Sequence, residues 1–174
     1  MNSIKKMVLT ALFIAIGILL PMAFHSIPNA GSIFLPMHIP VLVCGIVCGF
    51  PYGVICGIGT PLLSSMLTGM PPAAFLPSML CELATYGFMA STLMHFMPIK
   101  NKYGKVYVSL IGAMIAGRVV YGILNALIFR AGNYSMQIWM ASAFVTAIPG
   151  VVIQLLLIPP LVFALEKAKL IELK

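Results

Sequence analysis

The chain has 174 residues, of which 61% are hydrophobic and 7% are charged, and its formal net charge is +7. Soluble domains carry about 25% charged residues, so the few charges present here could not cover a soluble surface. This composition excludes a soluble enzyme, a disordered segment and a nucleic-acid-binding protein. It predicts an all-α integral membrane protein that lies in the lipid bilayer as a single domain over residues 1–174.

Six apolar stretches have the length and composition of membrane-spanning helices. The second stretch is short for a bilayer about 30 Å thick, and Pro51 with its flanking glycines separates it from the third. The predicted spans are residues 6–24, 36–50, 52–69, 76–97, 105–130 and 136–166.

The basic residues predict how the chain is oriented. All eight lysines lie at the two ends of the chain or between the fourth and fifth spans, whereas the loops on the opposite side hold only Arg130. Lysine and arginine are enriched in cytoplasmic loops, so both termini are expected in the cytoplasm. The three loops on the outer side are short. They are either simple linkers or lids that fold over an outward-facing site.

Two ionisable residues, Glu82 and Arg118, lie inside apolar spans. Charges at such depth are costly, so each should face protein or water and find a partner. Glu82 lies about 9 Å below the outer end of its span and Arg118 about 16 Å below, and the long arginine side chain can close that difference. The two residues therefore either lock two helices together or form one wall of a ligand site.

Polar residues recur at helical spacing on four of the predicted spans. Such stripes favour a shared polar cavity, although each stripe could also connect neighbouring helices by hydrogen bonds. The stripes are Thr60, Ser64 and Thr68 on the third span, Glu82 and Tyr86 on the fourth, Arg118, Tyr121 and Asn125 on the fifth, and Thr146, Gly150 and Gln154 on the sixth.

Two further residues at the outer ends of spans have open interpretations. His38 either contacts a ligand or caps the second helix, and Trp139 either stacks on a ligand or belongs to an interfacial aromatic belt. The histidines are scattered without acidic neighbours in sequence, and the four cysteines lie in apolar runs. We therefore predict neither a metal site nor a cofactor.

The first span carries a different signal, because Ala11 and Ala15 lie one helical turn apart. Small residues at this spacing allow a second helix to approach closely. The chain contains no P-loop, so we expect no ATP hydrolysis by this chain and no enzymatic activity.

Several stretches resemble the substrate-binding S components of energy-coupling factor (ECF) transporters. The resemblance covers most of the chain and includes its size, its six spans and its cytoplasmic termini. The matching stretches are residues 34–45 (FLPMHIPVLVCG), 51–53 (PYG), 60–65 (TPLLSS), 67–72 (LTGMPP) and 82–87 (ELATYG).

The resemblance implies a vitamin-class ligand held near the outer face by the last three helices and the outer loops. It also implies a membrane T subunit, on which Ala11 and Ala15 would dock, and two cytosolic ATPase subunits. The candidates are pantothenate, folate, cobalamin, pyridoxine and a queuosine precursor. Members that take up nickel or cobalt resemble one another in a histidine after the initiator methionine, and Asn2 at that position argues against metal uptake.

The leading hypothesis is thus a high-affinity binding subunit in a bacterial cell membrane that delivers a micronutrient to an ATP-driven module. Its expected substrate-binding residues are Glu82, Tyr86, Arg118, Tyr121, Asn125, His38 and Trp139. The alternative is a stand-alone secondary transporter in which Glu82 carries protons.

Overall fold

A computed structural model of the chain describes residues 1–24, 29–129, 134–171 and 173. These residues form helices and connecting turns, with no strand among them. The α-helices are α1 (Ser3–Ala23), α2 (Ala30–Phe34), α3 (His38–Cys48), α4 (Tyr52–Thr68), α5 (Leu76–Phe96), α6 (Lys102–Leu124), α7 (Met136–Met140) and α8 (Ile148–Lys167). Two π-helical segments, Asn125–Phe129 and Ala141–Val145, follow α6 and α7 respectively.

The predicted helical bundle is confirmed, and α1, α4 and α5 agree with their predicted spans within three residues at either end. Four stretches are long and apolar enough to cross a membrane, and α4 is a shorter apolar helix. The four are Ser3–Ala23, Gly31–Cys48, Lys102–Phe129 and Met136–Lys167. With α4 and α5 packed among them, the described residues form six helical units, as an S-component bundle requires.

The second predicted span begins differently in the structure. The prediction placed residues 25–36 in a loop, but the short helix α2 occupies part of it. Leu35 then adopts a left-handed conformation (φ 51°, ψ 48°) that ends α2, and α3 starts only at His38. The left-handed region is sterically unfavourable for a residue with a Cβ, so the surrounding packing must hold this turn.

The sixth predicted span is not one continuous helix. It consists of α7, the π-helical segment and α8, with a turn at Thr146 and Ala147. Pro149 lies at the start of α8. Proline has no N–H to donate to the preceding turn, and its ring would meet the carbonyl four residues earlier, so Pro149 fits the first turn of a new helix better than a helix interior.

Helix α3 lies at the centre of the bundle, where ten of its eleven residues are buried. It packs against α1, α4, α5 and α8. Glycines allow this close packing: a Cβ at Gly45 would lie 2.8 Å from the Gly87 carbonyl oxygen, and one at Gly53 would lie 2.6 Å from the same atom. Helices α3, α4 and α5 therefore meet backbone to backbone around Gly87.

The ends of the helices that carry lysines lie together, as the predicted topology of six spans requires, and their cytoplasmic orientation stays a prediction. Lys102 at the start of α6 forms an ion pair with Glu166 at the end of α8. Lys5 and Lys169 line the same hollow near Met1, so the beginning and end of the chain are neighbours. Of the basic residues used in that prediction, Arg130 and Lys174 lie outside the described residues.

Candidate functional site

Glu82 is the centre of a buried polar cluster in the half of the bundle that is remote from the lysines. It lies on α5 and is 6% exposed. Its Oε1 accepts a hydrogen bond of 2.9 Å from the hydroxyl of Tyr86, one turn later on the same helix. The Tyr86 ring fits there because Gly117 on α6 has no side chain, since a Cβ at Gly117 would collide with it.

Arg118 approaches Glu82 from the neighbouring helix α6. Its Nε lies 3.9 Å from Glu82 Oε1, and the two side chains are 9% and 8% exposed. The predicted meeting of these residues is confirmed. The contact is an ion pair without a hydrogen bond, because 3.9 Å exceeds the donor–acceptor distance that a hydrogen bond requires.

His38, at the start of α3, also belongs to this cluster. Its Nε2 lies 3.8 Å from Glu82 Oε1, and its ring centroid is 5.2 Å from that of Tyr86. Neither ring nitrogen has a hydrogen-bond partner among the described residues, so the alternative that His38 caps a helix is wrong. The histidine has an acidic neighbour in space although it has none in sequence, because α3 and α5 cross closely at their glycines.

Tyr121 and Asn125 occupy the next turn of α6, where the helix changes to the π-helical form. Asn125 is fully buried, and its Nδ2 donates a 2.8 Å hydrogen bond to the carbonyl oxygen of Tyr121. Tyr121 itself is half-buried. Short π-helical segments are frequent at functional sites because the widened turn redirects side chains, and here the change begins at Asn125.

Trp139 on α7 contacts the backbone of α6. Its indole Nε1 donates a hydrogen bond of 3.1 Å to the carbonyl oxygen of Arg118. The indole lies against Gly122, where a Cβ would be only 2.7 Å from the ring carbon Cδ1. Trp139 therefore positions the helix that carries Arg118, and it touches the cluster through that backbone.

A hollow of about 230 Å³ lies beside Trp139, between α6 and α7. Its lining includes Val119 and Ile123 of α6 and Ala126 of the π-helical segment that follows, and all three are exposed on the outside of the bundle. This hollow opens toward the apolar face of α6 and is separate from the charged cluster.

The polar stripe on α4 lies apart from the cluster. Thr60 packs against Gly17 of α1, and its Oγ1 is 3.7 Å from Cys56 Sγ. The Ser64 and Thr68 hydroxyl oxygens are 3.4 Å apart. These hydroxyls thus serve contacts within α4 and with α1, as the interhelical alternative for this stripe requires.

On the last stripe, Gln154 is fully buried on α8, and its Nε2 has no hydrogen-bond partner in the part of the chain that the structure describes. Its spacing with Gly150 predicted an inward position, and both residues are buried. Thr146 is exposed in the turn before α8, where its hydroxyl donates to the Ala141 carbonyl oxygen. The helix break at Pro149 explains why Thr146 leaves the stripe. Gln154 is absent from the expected substrate-binding residues, although its periodicity with Gly150 is a signal that identifies it.

Ala11 and Ala15 lie on the exposed face of α1, remote from the cluster. The same face carries Val8, Leu12 and Leu19, which are 64%, 52% and 62% exposed. This face is therefore available to lipid or to another membrane helix.

A comparison with protein families matches residues 5–162 to the model of the ECF transporter substrate-specific component. The chain belongs to this family. The S component is accordingly a multi-pass membrane protein and a substrate-binding subunit of a transporter, a class whose members bind small molecules and partner with T and ATPase subunits. Searches of curated proteins and of solved structures return no match.

Proposed function

We propose that this S component captures an organic micronutrient of vitamin size outside a bacterial cell and releases it inward through an ATP-driven ECF module. The observation that carries the proposal is the buried cluster of Glu82, Arg118, His38 and Tyr86 within a chain of this family. Ionisable groups are rare within membrane spans and mark substrate sites when they face the protein interior.

The cluster provides the chemical variety that recognition of an organic ligand needs. Glu82 is a hydrogen-bond acceptor, Arg118 is a donor, and the imidazole of His38 can be either. Apolar residues of the bundle surround these polar groups, as in sites that hold a ligand with an apolar body and a few polar atoms. Asn125 extends the polar surface along α6, and Trp139 supports the helix from outside.

Coupling to ATP requires other chains in this proposal. The face of α1 that contains Ala11 and Ala15 would dock on a membrane T subunit, because small side chains permit two helices to approach closely. The T subunit would couple ATP hydrolysis by two cytosolic ATPase subunits to inward release of the ligand. This arrangement distinguishes the proposal from the alternative of a stand-alone transporter in which Glu82 carries protons.

Native mass spectrometry of the detergent-purified S component tests capture of the micronutrient. The proposal predicts one bound organic molecule per chain, and the Glu82→Gln/Arg118→Met double variant should lose it. A matched control is the Lys102→Met/Glu166→Gln variant, which removes the ion pair at the opposite end of the bundle and should retain the molecule. A bound divalent cation in place of an organic molecule would contradict the proposal.

A further inference from the structure

Arg118 is buried but uses only part of its hydrogen-bonding capacity among the described residues. A guanidinium has five N–H donors in a planar fork and no acceptor. The ion pair with Glu82 joins Nε to Oε1 at 3.9 Å, which is longer than a hydrogen bond, and the guanidinium also interacts with the Tyr86 hydroxyl. When arginine and a carboxylate are fully matched, two parallel N–H···O bonds form at less than about 3 Å. Glu82 does not provide that match.

Other buried polar atoms of the bundle have no hydrogen-bond partner among the described residues. They include both ring nitrogens of His38, Oδ1 of Asn125 and Nε2 of Gln154. Asn125 lies two helical turns after Arg118, directly after the end of α6, and Gln154 lies on α8, which packs against both α3 and α6. Buried polar groups in proteins are normally satisfied, so unsatisfied groups on helices that pack together indicate that a ligand provides the partners.

We propose that the ligand of this site is a small monocarboxylate with an uncharged, hydrogen-bonding body. Its carboxylate is held by the two terminal nitrogens of Arg118, and its body meets His38, Asn125 and Gln154. This inference rests on the proposed function, because it names the chemical class of the molecule that the S component captures.

The charges of the cluster favour a carboxylate over other charged groups. A cation would have to lie beside the guanidinium of Arg118, which repels it. A phosphate monoester would bring about 1.5 to 2 negative charges next to Glu82, and Arg118 is the one permanent cation in the cluster. A single carboxylate has the planar shape that the guanidinium fork fits.

The hydrogen-bond donors of the cluster explain how Glu82 and an anionic ligand can share the site. Glu82 already receives a hydrogen bond from Tyr86. His38 lies 3.8 Å from Glu82, and an imidazole N–H is a second donor beside that carboxylate. Donors of Arg118 then remain for the ligand carboxylate.

The test starts without a candidate compound. Purified S component is incubated with a small-molecule extract of bacterial cells, unbound compounds are washed away, and the retained compound is identified by mass spectrometry. Its affinity and that of its primary amide are then measured by the fluorescence of Trp139. This residue is the single tryptophan of the chain, and its indole bonds to the Arg118 backbone, so its fluorescence reports on the helix that carries Arg118.

We expect the retained compound to carry one carboxylate and its amide to bind about 10-fold to 100-fold more weakly, as loss of a charge-assisted pair implies. Arg118→Lys keeps the positive charge beside Glu82 but loses the planar fork of donors. It should therefore weaken binding of the acid by a similar factor and binding of the amide much less. Lys102→Gln, at the far end of the bundle, should leave both affinities unchanged.

Two results would overturn the inference. If the retained compound is uncharged or cationic, or if the amide binds as well as the acid, the carboxylate assignment fails while the proposed function stands. If a folded S component retains no organic compound, the proposed function fails and the inference fails with it.

Discussion

Neutralising one member of the Glu82–Arg118 pair should destabilise the S component far more than neutralising both. At 3.9 Å between Nε and Oε1, two unit charges attract each other by about 4 kcal/mol at an effective dielectric constant near 20. Removing one partner leaves the other charge buried and unpaired, which costs about 3–5 kcal/mol. The double variant leaves no buried charge, so its loss should be clearly smaller than the sum of the two single losses.

The assay is thermal unfolding in detergent of Glu82→Gln, Arg118→Met and the double variant. For a chain of this size, 1 kcal/mol corresponds to about 2–4 °C in Tm, so each single variant should unfold at least about 6 °C earlier. The control is the exposed Lys102–Glu166 pair, whose two members are 54% and 25% exposed. Exposed pairs contribute about 0–1 kcal/mol. Additive losses across the Glu82–Arg118 cycle would refute the coupling.

Three further predictions concern other parts of the bundle. Replacing both Ala11 and Ala15 with Trp should abolish ATP-driven uptake in proteoliposomes and leave ligand affinity unchanged, because bulk on the exposed face of α1 blocks only docking; normal uptake would contradict this. Gly87→Ala should lower Tm by several degrees because its Cβ would collide with the backbone of α4, whereas Gly104→Ala, whose Cβ has 3.5 Å to its nearest neighbour, should not; equal Tm values would contradict the close packing. Trp139→Phe removes the hydrogen bond to Arg118 and should cost about 1 kcal/mol, and an unchanged Tm would show that this bond does not stabilise α6.

Hydrophobic patterning and charge allowed the helical bundle and the Glu82–Arg118 approach to be predicted. Helix length depends on the number of consecutive apolar residues, and the depth of a residue follows from its distance to the helix end. The helix interruptions were harder to predict. A break at Pro149 and a left-handed turn at Leu35 depend on local backbone geometry and on neighbouring packing, which hydropathy does not report.

The position of His38 beside Glu82 could not be predicted from sequence spacing. The two residues are far apart in the chain, and they meet because Gly45 and Gly87 let α3 and α5 approach closely. A glycine in an apolar helix can mark a close contact, but the sequence does not say which helix makes that contact. The direction of Trp139 toward the α6 backbone depends in the same way on Gly122.

The most direct test of the account is uptake of the retained compound into proteoliposomes that contain the S component with or without an ECF module. The module consists of a T subunit and two ATPase subunits. We expect binding but no accumulation by the S component alone, and accumulation that depends on ATP and on the module when all subunits are present. Accumulation by the S component alone, driven by a proton gradient and abolished by Glu82→Gln, would contradict it.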